Sequence, residues 1–404
     1  MVPSKEKILA PHTQNEELAR TQDALKAIGA DFAILSSDEN VTYVSHYAVP
    51  TDFGPASAQR YVAPMAYFAV DAGAPARGES GLIVSDSYAA GATQASALGQ
   101  VHMYACFVLD YDVSPRANYL DALRKVLRES GIGSTRKTIA IEEKSLPVAA
   151  YRLITAEYPN VTLIDAGPAL QQARLVKTAR ELDLLRAAAE VNKAGHTALV
   201  EACKRAGQSE FDMWSAVINA MEKRAGGPVI VFGELVTGAR CAVVRYPGGP
   251  LHVMTHPGNL ALMDMSTRVN GYWTDCTNTL VIGDVEPTAT QRKYGVAARE
   301  AFHAAAEKLR PGNKAHEAFD AAAATFAKHG LTIGHYGGHQ IGVTVNEHPR
   351  LVPWEQTVIQ EGMVFSIEPG SYEGPEGSAG ARMEKSVIVH QSGPEILCDF
   401  EWGF

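Results

Sequence analysis

Between Glu16 and Ile28 the apolar residues Leu18, Leu25 and Ile28 recur at helical spacing, and the run Phe32–Leu35 that follows is short and continuously apolar. A helical period followed by such a run predicts a helix and then a strand covered on both faces. Further runs at Gly81–Val84, Thr138–Ile141 and Val161–Ile164, with a helix near Tyr119–Ser130, extend the pattern to a small α/β domain. The segment Asp165-Ala166-Gly167-Pro168 breaks it, and the domain boundary is placed at 170, giving units 1–170 and 171–404.

After the break, Thr178-Ala179-Arg180-Glu181 reads as a capping box that starts a long helix. Leu184, Ala188, Val191, Gly195, Ala198 and Ala202 form one apolar stripe along it. Two more helices are predicted, one opened by the capping box Thr288-Ala289-Thr290-Gln291 and one over Ala315–Lys328. Strand-like segments lie at Val229–Phe232, Asn259–Met265, Tyr272–Ile282, Met363–Glu368 and Ala381–Val389. Strands flanked by long helices predict an α+β domain with a curved antiparallel sheet.

Charge and cysteine usage narrow the partners. Of 404 residues, 45 are Asp or Glu and 36 are Lys or Arg, a net charge of -9. Scattered basic residues on an acidic chain argue against a nucleic-acid backbone or an anionic membrane surface as the main partner. A small ligand fits better. Five widely spaced cysteines without a CxxC pair read as reduced thiols of a cytoplasmic protein. The N-terminus lacks the apolar run of a signal peptide, and the longest apolar stretch, near Tyr61–Val70, falls far short of the roughly 20 residues of a membrane span.

The most informative piece is Leu262–Thr279. Asn270-Gly271 is a strong two-residue hairpin signal, because both central positions of a type I′ turn need positive φ. With that loop, opposed residue numbers sum to 541, so Asp264 faces Thr277 and Ser266 faces Asp275. Asp264 and Asp275 then become diagonal neighbours on one sheet face, roughly 7–8 Å apart at the backbone. Two carboxylates aimed at one point need a cation or a shared proton. Solvated side chains are the ordinary reading of such a pair, but Leu260, Leu262, Leu280 and Ile282 surround this one.

Three further residues share its chemical character. His339 lies in the glycine-rich string Gly337-Gly338-His339-Gln340-Ile341-Gly342, Glu368 ends an apolar strand ahead of Pro369-Gly370, and Glu384 sits in Arg382-Met383-Glu384-Lys385. Four carboxylates and an imidazole make an oxygen-rich set suited to divalent Mn, Co, Fe or Zn.

These five residues, in this order and inside these strings, resemble the pita-bread metallopeptidase family that includes methionine aminopeptidase, prolidase, aminopeptidase P and creatinase. The preceding α/β domain and the linker Ala173–Glu181 resemble its creatinase and prolidase branch. The resemblance implies a C-terminal pita-bread domain behind a creatinase-type N-terminal domain, and two divalent metal ions held by Asp264, Asp275, His339, Glu368 and Glu384. Asp275 and Glu384 would be shared between the ions, and Glu368 would also move a proton. Thr277 and Thr279 share the strand face of Asp275 and would hydrogen-bond the ligands or the water between the ions. A homodimer is implied too. Peptidases of this branch carry two additional histidines, where this chain has Arg245 and Asn346, with His348 close by. Arginine clamps carboxylates but exchanges no proton, so the resemblance implies an altered substrate pocket. A C–N bond hydrolase acting on a small amide or dipeptide is the first expectation. A lyase of a small zwitterion such as dimethylsulfoniopropionate, a creatinase-like amidinohydrolase and an inactive binding protein are the alternatives.

Overall fold

The apolar runs of the N-terminal half become strands β1 (Phe32–Leu35), β2 (Met65–Ala69), β3 (Ser80–Ser85), β4 (Gln100–Tyr104), β5 (Thr138–Ile141) and β6 (Thr162–Asp165) of one mixed sheet, ordered β4-β3-β2-β1-β5-β6. The computed structural model describes residues 15–51, 59–71, 79–244 and 248–404. Phe32, Ile34, Met65, Tyr67, Ile139 and Ile141 pack with Tyr119, Leu123 and Leu127 of the helix Pro115–Glu129 in one buried cluster. That helix begins ahead of the predicted start because Ser114 caps it, accepting from the Ala117 amide at 3.3 Å, and Pro115 fills the first turn, where a missing N–H costs nothing. Helices at Asp38–Ser45, Asp86–Ala95 and Val148–Glu157 are too short to show a clear period in the sequence.

The chain divides between Leu175 and Val176, past the boundary set at 170. The reason is the helix Gly167–Ala173, which packs on the helix Glu16–Ala27 and accepts the Tyr43 hydroxyl on the Ala173 carbonyl at 2.9 Å.

In the second unit the strands are β7 (Ile230–Thr237), β8 (Leu260–Val269), β9 (Tyr272–Val281), β10 (Gly338–Gln340), β11 (Glu347–Arg350), β12 (Val364–Ile367), β13 (Gly370–Tyr372), β14 (Gly380–Arg382), β15 (Lys385–Ile388) and β16 (Glu395–Ile396). They form antiparallel sheets β7-β8-β9, β11-β10-β12-β15-β16 and β13-β14. The hairpin register is the expected one: Asp264 faces Thr277, Ser266 faces Asp275, and Asn270 and Gly271 sit at φ 51 and 90.

Strand alternation then separates two faces of β7-β8-β9. Leu235, Ala261, Met263, Met265, Leu280 and Ile282 pack with Leu199, Met213, Val217 and Met221 of the helices Ala179–Cys203 and Glu210–Ala225. The other face carries Glu234, Asp264, Asp275 and Thr277. The helix Glu210–Ala225 has no counterpart in the sequence reading, although its signals are present: Ser209 and Asp212 form a capping box and Gly226 ends it at φ 77. The segment Ala381–Val389 is two strands rather than one. Arg382 still pairs with β13, Lys385 already pairs with β12, and between them Glu384 bridges to Thr277. Among the described residues no helix is long and apolar enough to cross a membrane.

Candidate metal centre

Each predicted residue arrives on a different element. Asp264 projects from β8 and Asp275 from β9. Glu384 lies between β14 and β15 and exchanges backbone hydrogen bonds with Thr277, at 3.2 Å and 2.9 Å. His339 lies on β10 opposite Ser366 of β12, and Glu368 follows β12, its amide donating to the Gly337 carbonyl at 2.9 Å. Gly338 makes this approach feasible: its φ is 146, and a Cβ there would run into the Ser366 carbonyl. Only glycine tolerates both conditions.

The structure brings Asp275, His339, Glu368 and Glu384 together and sets Asp264 beside Asp275. Ligand-capable atoms of Asp275, His339 and Glu384 all lie within 4.8 Å of one another, and His339 Nε2 is 3.3 Å from Glu368 Oε1 and 4.0 Å from Asp275 Oδ2. All five predicted residues are buried. His339 Nδ1 is 2.9 Å from the Gln340 carbonyl. A carbonyl only accepts, so Nδ1 carries hydrogen and Nε2 is the nitrogen turned to the carboxylates. That is the arrangement of a metal-ligating histidine fixed by its backbone partner.

Charge repulsion dominates the electrostatics. Two carboxylates about 5 Å apart at an effective dielectric near 20 repel by about 3 kcal/mol. Burial, then Asp264 and Glu368, raise Asp275 well above the usual carboxylate range, and burial, then Asp275 and Glu368, do the same to Glu384. Burial works the same way on Glu368, but the hydrogen bond and charge of His339 outweigh it and hold Glu368 below that range. Asp264 Oδ1, Asp275 Oδ1 and Glu384 Oε1 are buried without a hydrogen-bond partner among the described residues. Buried lone pairs left in this way are costly, and a divalent ion would satisfy them. The donor set, oxygen-rich with one imidazole, fits such ions.

Several residues of the site went unflagged in the sequence. Arg382 is a buried guanidinium that donates from Nη2 to Asp264 Oδ2 at 2.8 Å and to Glu234 Oε1, from Nε to Thr277 Oγ1 at 3.1 Å, and from Nη1 to the Tyr372 hydroxyl at 3.1 Å. Burial opposes its charge, but Tyr372, Asp264 and Glu234 outweigh it and secure the protonated form. Glu234 stands directly opposite Asp264. An acidic residue inside Ile230–Thr237 was the available signal, and the predicted strand stopped at Phe232. Tyr336 lies against Glu368, and burial followed by Glu368, Glu384 and Asp275 keeps its hydroxyl protonated. Lys385, next to Glu384 in the chain, turns away, its Nζ 4.3 Å and 4.0 Å from the ring centroids of Phe400 and Trp402.

The remaining predicted residues differ in their placement. Thr277 Oγ1 donates to Glu384 Oε2 at 2.7 Å, so it relays the Arg382 contact to a carboxylate. Thr279 touches none of the carboxylates. It accepts from the Arg382 amide at 3.2 Å and donates to the Arg382 carbonyl at 2.9 Å, fixing the backbone that presents the guanidinium. Asn346 is exposed, with Nδ2 3.4 Å from the Tyr336 hydroxyl, and so reaches Glu368 through that ring. His348 is exposed and engaged by Glu355 at 3.6 Å and Thr357 at 3.3 Å. Arg245 lies outside the described residues.

Comparison with known proteins agrees with this geometry. Residues 183–391 match the model of metallopeptidase family M24, and residues 17–176 match the creatinase/prolidase N-terminal domain. A Xaa-Pro dipeptidase of Lactobacillus helveticus is 33% identical over 268 residues, 64% of this chain and 70% of that protein. A Xaa-Pro dipeptidase of Pyrococcus furiosus is 29% identical over 236 residues, 57% of this chain and 65% of that protein. Among solved structures, the prolidase from Pyrococcus horikoshii superposes with a TM-score of 0.77 at 22% identity, covering 96% of this chain and 99% of that one. The dipeptidase PepE from Mycobacterium ulcerans gives 0.70 at 26% identity, covering 94% of each chain. With a pita-bread domain behind a creatinase-type domain, the chain belongs to metallopeptidase family M24, in its creatinase and prolidase branch, and thereby to the metal-dependent hydrolases.

Proposed function

We propose that the chain is a dinuclear metal-dependent hydrolase that cleaves an amide or peptide C–N bond in a small substrate such as a dipeptide. The observation that carries this reading is the cluster of Asp275, Glu384 and Glu368 around His339, whose Nδ1 is already committed, with Asp264 beside Asp275; three of these four buried carboxylates have an oxygen without a partner among the described residues. Asp264 would hold one ion, His339 and Glu368 the other, and Asp275 and Glu384 would be shared. Relatives that act as Xaa-Pro dipeptidases support the substrate class.

When bound, the ions would acidify water and polarise the scissile carbonyl. Glu368, which lies below the usual carboxylate range in the metal-free protein, would accept the proton of the attacking water and return it to the leaving nitrogen. Tyr336, protonated and against Glu368, orients that carboxylate. Thr277 fixes Glu384, and Arg382 fixes Asp264.

The direct test is metal content in freshly purified protein, followed by a screen of Xaa-Pro dipeptides, creatine-like amidines and N-acyl amino acids with Mn, Co, Fe or Zn added. Hydrolysis products with metal present support the reading. Failure to retain any divalent ion, or elimination products in place of hydrolysis products, rejects it. We also propose that the chain forms a homodimer, which light scattering on the same preparation checks.

Arg245 is proposed, from its chemistry alone, to grip an anionic group of the substrate. R245A is expected to raise KM about 10- to 150-fold with little change in kcat, the worth of a charge-assisted hydrogen bond of roughly 1.5–3 kcal/mol. An unchanged KM removes the clamp.

Metal and pH are linked through Asp275 and Glu384. Both folded-state values are raised above an unfolded value near 4. Their contribution therefore favours the metal-free fold below the unfolded value and is lost as pH rises through the folded ones. Divalent ions remove that penalty and bind more tightly as competing protons leave. The unfolding midpoint gained on adding Mn is thus expected to grow from about pH 5.5 to about pH 8. A gain that shrinks over that range rules out these two as ligands.

A further inference from the structure

Glu234 has no part in the five-residue set, yet it is among the most enclosed carboxylates of the site, 2% exposed. It faces Asp264 across β7 and β8, and its Oε1 holds Nη2 of Arg382, the same nitrogen that donates to Asp264. The other guanidinium nitrogens are taken by Thr277 and Tyr372. Arg382 is therefore committed inside the protein and clasps the two carboxylates side by side. Glu234 Oε2, like Asp264 Oδ1, is buried and has no hydrogen-bond partner among the described residues.

The charge count gives this clasp a consequence. Glu234, Asp264, Asp275, Glu368 and Glu384 set against Arg382 leave four negative charges, with a ligating His339 neutral. Two divalent ions cancel four charges, and one ion does not. Without Glu234 the same two ions, with their bound water counted as neutral, would leave a net positive charge in a buried site, which a protein interior tolerates poorly.

We propose that Glu234 is the charge-balancing carboxylate of the metal centre: through Arg382 it holds Asp264 in place, and its own charge lets the second divalent ion enter. The inference rests on the two-ion reading above and assigns to the centre a residue outside its ligand set.

Mn titrated calorimetrically into the full-length chain, with metal content measured after desalting, tests it. The wild type is expected to take up two equivalents. E234Q keeps the shape and removes the charge. It should retain the first equivalent and bind the second at least tenfold more weakly, while E234D, which keeps the charge, should still bind both. E234A gives the same loss of the second ion should E234Q not be recovered folded. Wild-type affinity for both ions in E234Q, or in E234A, overturns the inference, and so does an E234D variant that loses the second ion as badly as E234Q. A wild type that never takes up two equivalents overturns the two-ion reading itself, a result distinguishable because it precedes any substitution.

Discussion

Replacing Asp275 by Asn is expected to abolish activity and to invert the stability ranking of the metal-free and metal-loaded proteins. In the metal-free protein Asp275 is a buried carboxylate whose ionised form is disfavoured by burial and by Asp264 and Glu368. Asn has the same shape without that charge, so near neutral pH metal-free D275N should unfold at a higher temperature than metal-free wild type. With Mn present the order reverses. A ligand at 100 times its Kd stabilises by about 2.7 kcal/mol, which in a unit of this size raises the midpoint by roughly 5–11 °C. D275N should show almost none of that gain. General damage to the fold would lower both curves, so a variant less stable than wild type in both states would remove Asp275 from the centre. Its backbone is held independently, by Ser366 Oγ at 3.4 Å and Ser386 Oγ at 3.3 Å on the Asp275 carbonyl, and the substitution leaves those contacts in place.

The second large effect is expected at Arg382. R382M removes a cation in contact with Glu234 and Asp264 and leaves two buried carboxylates facing each other. Removing one partner of a buried ion pair costs about 3–5 kcal/mol, and a denaturant titration of the metal-free protein should show a loss of that size. R382K supplies a charge but not a planar fork that can serve Asp264, Thr277 and Tyr372 together, so its loss should be intermediate. Added metal brings positive charge to the same carboxylates and should narrow the R382M deficit. A deficit unaffected by metal would mean that Arg382 supports packing alone and has no electrostatic part in the centre.

Part of this centre was open to reading along the chain, and the reasons are local. The facing of Asp264 and Thr277 follows from two turn residues and a period of two, since a hairpin with a two-residue loop leaves no freedom of register. His339, Glu368 and Glu384 stand in short strings whose glycines, proline and apolar neighbours mark them out. Glu234 and Arg382 do not stand out in that way. Each is one charged residue in a strand, and what distinguishes them is a partner more than a hundred positions away. Thr279 shows the converse: its place on the strand face of Asp275 is plain in the sequence, but its hydrogen bonds to the Arg382 backbone depend on the neighbouring segment.

The two-part organisation, the long capped helices, the hairpin register and the side chains with the chemistry of divalent-ion ligands are all legible along the chain. Those properties depend on residues within a few positions of one another, where propensity, capping and strand alternation act. The clustering of the carboxylates with unsatisfied oxygens, the commitment of Arg382 to Glu234 and Asp264, and the change of sheets at Glu384 emerge only in the folded chain. These depend on which distant strands pack together and on how much water that packing excludes, since burial is what turns a scatter of acidic residues into charges that demand a counter-ion.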